Sequence, residues 1–370
     1  MKKWTSLLLA AILVIALVVP ASAAEPGMNN FQEKKYTYNG FTDVAADAWY
    51  ATAVKSCYES GLMQGTTATT FNPKGNLTVA QAIVMAARLR SVYMGGTGTF
   101  EKSTPWYESA LTYAMNNGII TKTEFTWFGD FNQPVTRGGM AYLFNNALTY
   151  DSINTVTKLP DVQENDNHFG PAIFNLYRAG VLTGNDVYGT FAPNDTITRQ
   201  AACAIIARAA FPAQRQTLSL YEEFTYGDIS FPMPSGSTAS TSSSVYEVSS
   251  ANNLQMSVVS KDVNTSYQGM SITVMDAASV QKLLVDALSA NSGVTISDAS
   301  TQPVSFGKTA AYRMTFTATS SGVQIPAGSY VYISGDTLYI YACITAGGDT
   351  SRKTMMNAVI VDGNTVSSKL

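Results

Sequence analysis

Apolar residues fall in three matching patterns across the first half of the chain. Four and five residues after Trp49, Trp106 and His168 stand Ala53-Val54, Ala110-Leu111 and Ala172-Ile173. Four residues further on come Cys57-Tyr58, Ala114-Met115 and Leu176-Tyr177. Spacing of i, i+1, i+4, i+5 is one apolar stripe of a helix. Twelve residues after each anchor come Gly61, Gly118 and Gly180, each followed by an aliphatic residue (Leu62, Ile119, Val181). Glycine there predicts a helix stop in the left-handed conformation. Asp47, Thr104 and Asp166, two residues before the anchors, read as N-caps, and Pro105 suits a first helical position.

A second landmark follows each stop: Phe71-Asn72-Pro73, Phe131-Asn132-Gln133-Pro134 and Phe191-Ala192-Pro193. Thr78, Thr136 and Thr198 then open a second apolar-periodic run, through Ile83-Val84, Met140-Ala141 with Leu143-Phe144, and Ala202 with Ile205-Ile206. Threonine reads as the N-cap of that helix. Gln81 completes a capping box in the first copy, whereas Gly139 and Ala201 do not. Each copy is thus helix, loop, helix in about 55 residues, a length found among repeat proteins. One pair of short helices cannot bury its own apolar face, so the three must pack together.

The texture changes after Phe211. Pro212 and Gln214 to Gln216 read as a connector, and alternation begins at Tyr226-Gly227-Asp228-Ile229-Ser230-Phe231 and again at Leu254-Gln255-Met256-Ser257-Val258. The Ser/Thr/Gly stretch 235–244 between them reads as a long hairpin loop. Val280, Leu283-Leu284 and Ala287-Leu288 place an amphipathic helix over 277–290. Strands follow at 310–317, 328–334 and 337–345, with a tight turn at Gly335-Asp336, and a closing helix at 352–361. This order predicts an α+β domain: an antiparallel sheet with helices on one face.

Composition narrows the chemistry. Charged residues are 13% of the chain, about half the usual ~25%, and 23 basic against 26 acidic side chains give a net charge of −3. With no basic run, nucleic acid is excluded as a partner. One histidine, His168, excludes any site built on two imidazoles. Cys57, Cys203 and Cys343 are odd in number and far apart, so no zinc cluster and no disulfide framework is expected. They read as buried thiols, with one bridge and a spare thiol as the alternative. No metal and no cofactor is expected. Lys2 and Lys3, the apolar run 7–19 and Ala21-Ser22-Ala23 make residues 1–23 a secretory signal peptide. After its cleavage no membrane span and no lipid anchor is expected, and the terminal Ser368-Lys369-Leu370 is a coincidence.

The repeated residues resemble the S-layer homology (SLH) family over 41–211. The likeness rests on Phe41-Thr42-Asp43-Val44 and Leu159-Pro160-Asp161-Val162, on Trp49-Tyr50 and Trp106-Tyr107, on the Gly-aliphatic turns and Phe-x-Pro, and on Thr136-Arg137 and Thr198-Arg199. It implies an all-α, pseudo-threefold bundle with repeats at 41–94, 100–150 and 159–211; with the change of texture beyond it, the chain reads as multidomain, with a linker at 212–224 and the α+β domain at 225–370. It also implies non-covalent attachment to the cell wall through an acidic, often pyruvylated, secondary cell-wall polysaccharide held in grooves between repeats. A guanidinium grips such a carboxylate with paired hydrogen bonds, and a helix N-terminus beside it adds N–H groups. Arg137 and Arg199 stand at that place; an inter-repeat salt bridge is their structural alternative. Trp49, Tyr50, Trp106 and Tyr107 are either faces for sugar rings or wedges in the core. Gly65 and Gly184 either admit the glycan or only turn the chain. The family's Thr-Arg-Ala-Glu departs here to Thr78-Val79-Ala80-Gln81, Thr136-Arg137-Gly138-Gly139 and Thr198-Arg199-Gln200-Ala201, and Lys122 replaces the second turn glycine, so at most two grooves are expected to take an anionic sugar.

The second half resembles PsbP-like secreted domains in strand order alone, which bears on its fold only. It has no histidine, and its carboxylates (Asp276, Asp286, Asp298, Asp336) are scattered, so no catalytic residue is assigned. Cys343 reads as a core thiol, and Tyr330, Tyr332, Tyr339 and Tyr341 as cross-strand packing or as a binding platform. The chain is thus expected to be a secreted cell-wall protein displaying a binding or structural domain, with an unknown protein as that domain's partner. Two alternatives stay open: a tethered extracellular hydrolase, and repeats used for protein–protein assembly instead of glycan binding.

Overall fold

The structure, a computed structural model, describes residues 25–370 except 33, 166–167, 251–254, 263–265, 268–269, 272–273, 291–293 and 347. The signal peptide, the cap expected at Asp166 and the start of the alternation at Leu254 lie outside the described residues. The described chain divides into two compact units: residues up to Asn185 with Thr190–Leu218, and Asp186–Gly189 with Ser219–Leu370.

The first unit is helical. The first helices of the three copies are α1 (Ala51–Glu59), α3 (Glu108–Asn116) and α5 (Gly170–Arg178); the second helices are α2 (Val79–Tyr93), α4 (Arg137–Ala147) and α6 (Arg199–Ala210). Gly61, Gly118 and Gly180 end the first helices at φ 75, 68 and 70°. The next residue's N–H returns to the helix in each case: Leu62 to Cys57 O, Ile119 to Ala114 O and Val181 to Leu176 O, all 2.9 Å. Those bonds satisfy carbonyls that a helix end leaves open. The N-terminal ends differ from the sequence reading. These helices begin after Tyr50, Tyr107 and Phe169, without side-chain caps. A backbone turn serves instead, as when Ala51 N–H bonds Ala48 O at 2.8 Å and Glu108 N–H bonds Pro105 O at 3.0 Å.

The second helices begin at the threonines. Thr78 Oγ1 accepts from Gln81 N–H (3.3 Å) while Gln81 Oε1 accepts from Thr78 N–H (3.0 Å), the full capping box. Thr136 Oγ1 accepts from Gly139 N–H, and Thr198 makes no such bond. Thr78→Ala is therefore expected to cost about 1 kcal/mol of stability, and Thr198→Ala a few tenths. Urea unfolding followed by helical ellipticity separates the two; equal costs would deny the cap its part.

A cyclic hydrogen-bond pattern joins the copies. The first two N–H groups of α2, Val79 and Ala80, donate to Gln133 and Phe131 of the second copy. Those of α4, Arg137 and Gly138, donate to Asp195 and Pro193 of the third. Those of α6, Arg199 and Gln200, return to Gly75 and Pro73 of the first. In the centre, Leu77 N–H donates to Ile197 O (3.1 Å), Ile197 N–H to Val135 O (3.3 Å), and Val135 N–H to Leu77 O (2.9 Å). All three residues are buried. The motif aspartates hold the Phe-x-Pro loops: Asp43 carboxylate oxygens accept from Phe71 and Asn72 N–H, and those of Asp161 from Phe191 and Ala192 N–H.

The second unit is a seven-stranded antiparallel sheet in the order β3-β4-β5-β11-β10-β9-β8: Thr238–Ser242, Val245–Ser249, Gln255–Asp262, Thr337–Thr345, Val323–Ser334, Thr309–Ser320 and Thr295–Phe306. A smaller sheet, β1-β2-β12-β13, combines Tyr221–Tyr226, Ile229–Pro234, Ile360–Val361 and Asn364–Thr365. Hairpin β6–β7 (Ser266–Tyr267, Met270–Ser271) stands apart.

The helices pack on opposite faces, not on one. Val280, Leu283 and Leu284 of α7 (Ala277–Ala290) bury against Met314, Phe316 and Val331. Met355 and Met356 of α8 (Gly348–Asn357) and Phe231 of β2 bury against Tyr330, Tyr341 and Cys343. Alternate residues of β10 and β11 feed the two cores, so the sheet is covered on both sides, as its period requires. The four tyrosines are buried core and form no exposed platform. All three cysteines are free and buried. Burial pushes the Cys343 thiol up to about 12, which suppresses thiolate chemistry.

Three further differences concern strands. The stretch 235–244 holds strand β3 instead of a loop, β8 was not expected, and β1 starts at Tyr221 inside the expected connector. β3 is fully exposed and β8 is an edge strand with a register shift between Ser297 and Ser300, so neither carries clean alternation. Among the described residues no helix is long and apolar enough to cross a membrane.

Candidate functional site

Three of the expected site residues meet in one cleft of the helical unit. Trp49 from the first copy, Arg137 from the second, and Thr183, Gly184 and Asn185 from the third line a hollow of ≈ 330 Å³, floored by α6 and closed by Arg208. Gly184 sits at φ 77°, a conformation that favours glycine and lets the backbone run along the cleft wall. Trp49 is 64% exposed, its ring edge-on to Tyr50 at 5.3 Å. It is thus an open aromatic face and not a wedge in the core.

Arg137 enters the cleft from the first position of α4. Its Nε donates to Phe191 O at 2.6 Å and its guanidinium lies 4.7 Å over the Phe191 ring. These two contacts hold the fork at its base. Nη1 and Nη2 have no hydrogen-bond partner among the described residues. Burial lowers its pKa from the ordinary value, while Tyr177, Asp195 and Asp161 pull it back, so the group stays charged at neutral pH. Arg208 adds a second guanidinium, with Nη1 on Val181 O at 3.3 Å and its pKa also lowered by burial. No carboxylate lines the cleft among the described residues. The two guanidiniums give the cleft a basic lining, with Asp161 and Asp195 close enough to act on Arg137.

Arg199 differs from the sequence reading. It is 7% exposed; Nε donates to Phe71 O at 2.8 Å, Nη2 to Gln64 O at 2.7 Å, and the guanidinium lies 4.8 Å over Phe71. Its fork is engaged with backbone of the first copy, making it a clamp between copies through carbonyls and not through a salt bridge. Gly65 belongs to the same turn, where an added Cβ would clash with Thr67 O. Trp106 is 55% exposed beside Tyr107, which leans on Phe131 of its own loop. Tyr50 and Tyr107 are half-buried supports for the two tryptophans.

The position of the third copy that matches Trp49 holds His168. Its ring stacks on Trp127 at 3.4 Å and 11°, with Phe169 and Tyr142 around it. Copy two's extra loop residues place Trp127 there, so aromatic side chains fill that place. Sequence reading missed Trp127 and Arg208. The signal for Arg208 was its offset: Arg88 and Arg208 both stand ten residues after the capping threonine, and Arg88 Nη1 meets Leu62 O as Arg208 meets Val181 O.

The S-layer homology domain family matches residues 40–83 and 158–203. An endoglucanase of Bacillus sp. (strain KSM-635) is 30% identical over 217 residues, which is 56% of this chain and 22% of that protein. The surface-layer 125 kDa protein of Lysinibacillus sphaericus is 31% identical over 131 residues, 33% of this chain and 11% of that protein. The chain thus spans less than a quarter of either relative. The solution structure of cyanobacterial PsbP (CyanoP) from Synechocystis sp. PCC 6803 overlays on 38% of this chain and 92% of its own at TM-score 0.32 and 11% identity, too low a likeness to carry an argument. Two segments of the helical unit match the S-layer homology domain, and with the surface-layer relative they indicate a secreted protein of the cell surface or cell wall.

Proposed function

We propose that the chain is held non-covalently on the cell wall by three SLH repeats, 41–94, 100–150 and 159–211, and that the Arg137 cleft binds an acidic, pyruvylated wall polysaccharide. The observation that carries this is the pair of Nη groups on Arg137, which have no partner among the described residues and line one cleft with exposed Trp49. A guanidinium fork matches a carboxylate, and an indole face matches the apolar side of a sugar ring. The cyclic bonds through Leu77, Val135 and Ile197 support a pseudo-threefold bundle that includes the second repeat, which lies outside the family match. The second unit, which takes up the chain from Ser219 with β1 from Tyr221, is then the displayed part.

A tethered extracellular hydrolase is the second reading, and the 30% identity with part of a Bacillus endoglucanase gives it some weight. The full chain is expected to sediment with native cell walls and not with walls stripped of secondary polymer, and soluble acidic polymer should release it. Equal sedimentation with stripped walls would overturn the glycan reading in favour of protein contacts.

A further inference from the structure

Among the described residues, the sheet face that carries α7 is covered only in part. Val280, Leu283 and Leu284 close one end of it. Beside the C-terminal half of α7 the face continues over β11, β5 and β4 as a cleft of ≈ 360 Å³. Its walls are apolar, including Leu288, Ile296, Phe316 and Ile340. Among the described residues the polar side chains that line it are Glu247 and Ser260.

Strand register places those two together. Val245 pairs with Ser260 and Glu247 with Val258, so Glu247 and Ser260 are diagonal neighbours on one face of β4 and β5. No cation pairs with Glu247 among the described residues. A lone carboxylate beside a concave apolar wall suits one kind of occupant: an apolar body for the wall and a cationic head for the carboxylate. The size lies within the range of small-molecule pockets. A flat surface cannot enter such a hollow.

We propose that the second unit binds a small amphipathic cation, an aliphatic amine in the simplest case, with its hydrocarbon body between α7 and the sheet and its ammonium group against Glu247 and Ser260. This site is independent of wall attachment.

The full chain is titrated with octylamine, decylamine and dodecylamine below their micelle concentrations, by calorimetry and by displacement of a neutral fluorescent apolar probe. Saturable binding with one site is expected, tightening about fourfold for each methylene removed from water until the cleft is full. Glu247 and Ala287 are exposed, so substitutions there spare the core. Glu247→Gln should weaken decylamine about fivefold and leave decanol unchanged. Ala287→Trp, which fills the mouth from α7, should abolish binding of both. Absence of saturable binding, equal affinity for decyl sulfate, or indifference to Ala287→Trp would each overturn the assignment.

Discussion

Arg199→Ala is expected to lower the stability of the helical unit by about 3–5 kcal/mol, the largest single effect foreseen. The side chain is 7% exposed and makes two charge-assisted bonds to carbonyls of another repeat, each worth about 1.5–3 kcal/mol. Its position over Phe71 adds about 0.5–2 kcal/mol. Alanine leaves Phe71 O and Gln64 O without these donors and opens the junction that closes the ring between the third repeat and the first. Arg199→Lys should recover less than half, since an ammonium cannot reproduce the fork. Urea unfolding followed by helical ellipticity measures the loss. Wall binding should fall only as the unfolded fraction rises, and return on stabilisation by low temperature. A variant that unfolds at the wild-type midpoint yet fails to bind would make Arg199 a ligand contact after all.

Arg137 and Arg199 stand in the same sequence context, a threonine before and a second helix after. Their different environments come from the loop of the neighbouring repeat. Gln64 offers its carbonyl to Arg199 Nη2, and the matching wall beside Arg137 is the open cleft of Thr183 and Gly184. No local pattern encodes that difference. Helix stops and the caps at Thr78 and Thr136 are legible in the sequence because glycine and threonine act within a turn of where they stand. The first-helix starts are not, because a backbone turn replaces the expected side-chain cap at Asp47 and Thr104. Trp49 and Trp106 read equally well as wedges or as open faces, and only the tertiary structure shows both exposed. In the second unit, the central strands that feed two cores are legible, whereas polar β3 reads as a loop and edge strand β8 escapes notice. Solvent on both faces of β3 erases the alternation that marks a strand.

Arg137→Ala should leave the fold in place and weaken wall binding about ten- to a hundredfold, the loss of one charge-assisted pair of about 1.5–3 kcal/mol. The fold survives because the side chain's ties within the protein are one bond to Phe191 O and the stack on Phe191, while the backbone bonds of Arg137 and Gly138 to the third repeat remain. Arg137→Lys keeps a charge but not the paired donors, so its affinity should lie between the two. Trp49→Ala should weaken binding by removing the open aromatic face, without the salt dependence that Arg137 confers. Raising salt from 0.1 to 1 M shortens the screening length from about 10 to about 3 Å, so wild-type binding should fall and Arg137→Ala should respond less. Arg208 supplies the remaining positive charge, which is why the salt response should shrink without vanishing. Circular dichroism and the urea midpoint establish that each variant is folded before pelleting is compared. If folded Arg137→Ala sediments with native walls at wild-type affinity, the two free Nη groups do not meet the glycan, and the repeats hold the surface through protein contacts instead.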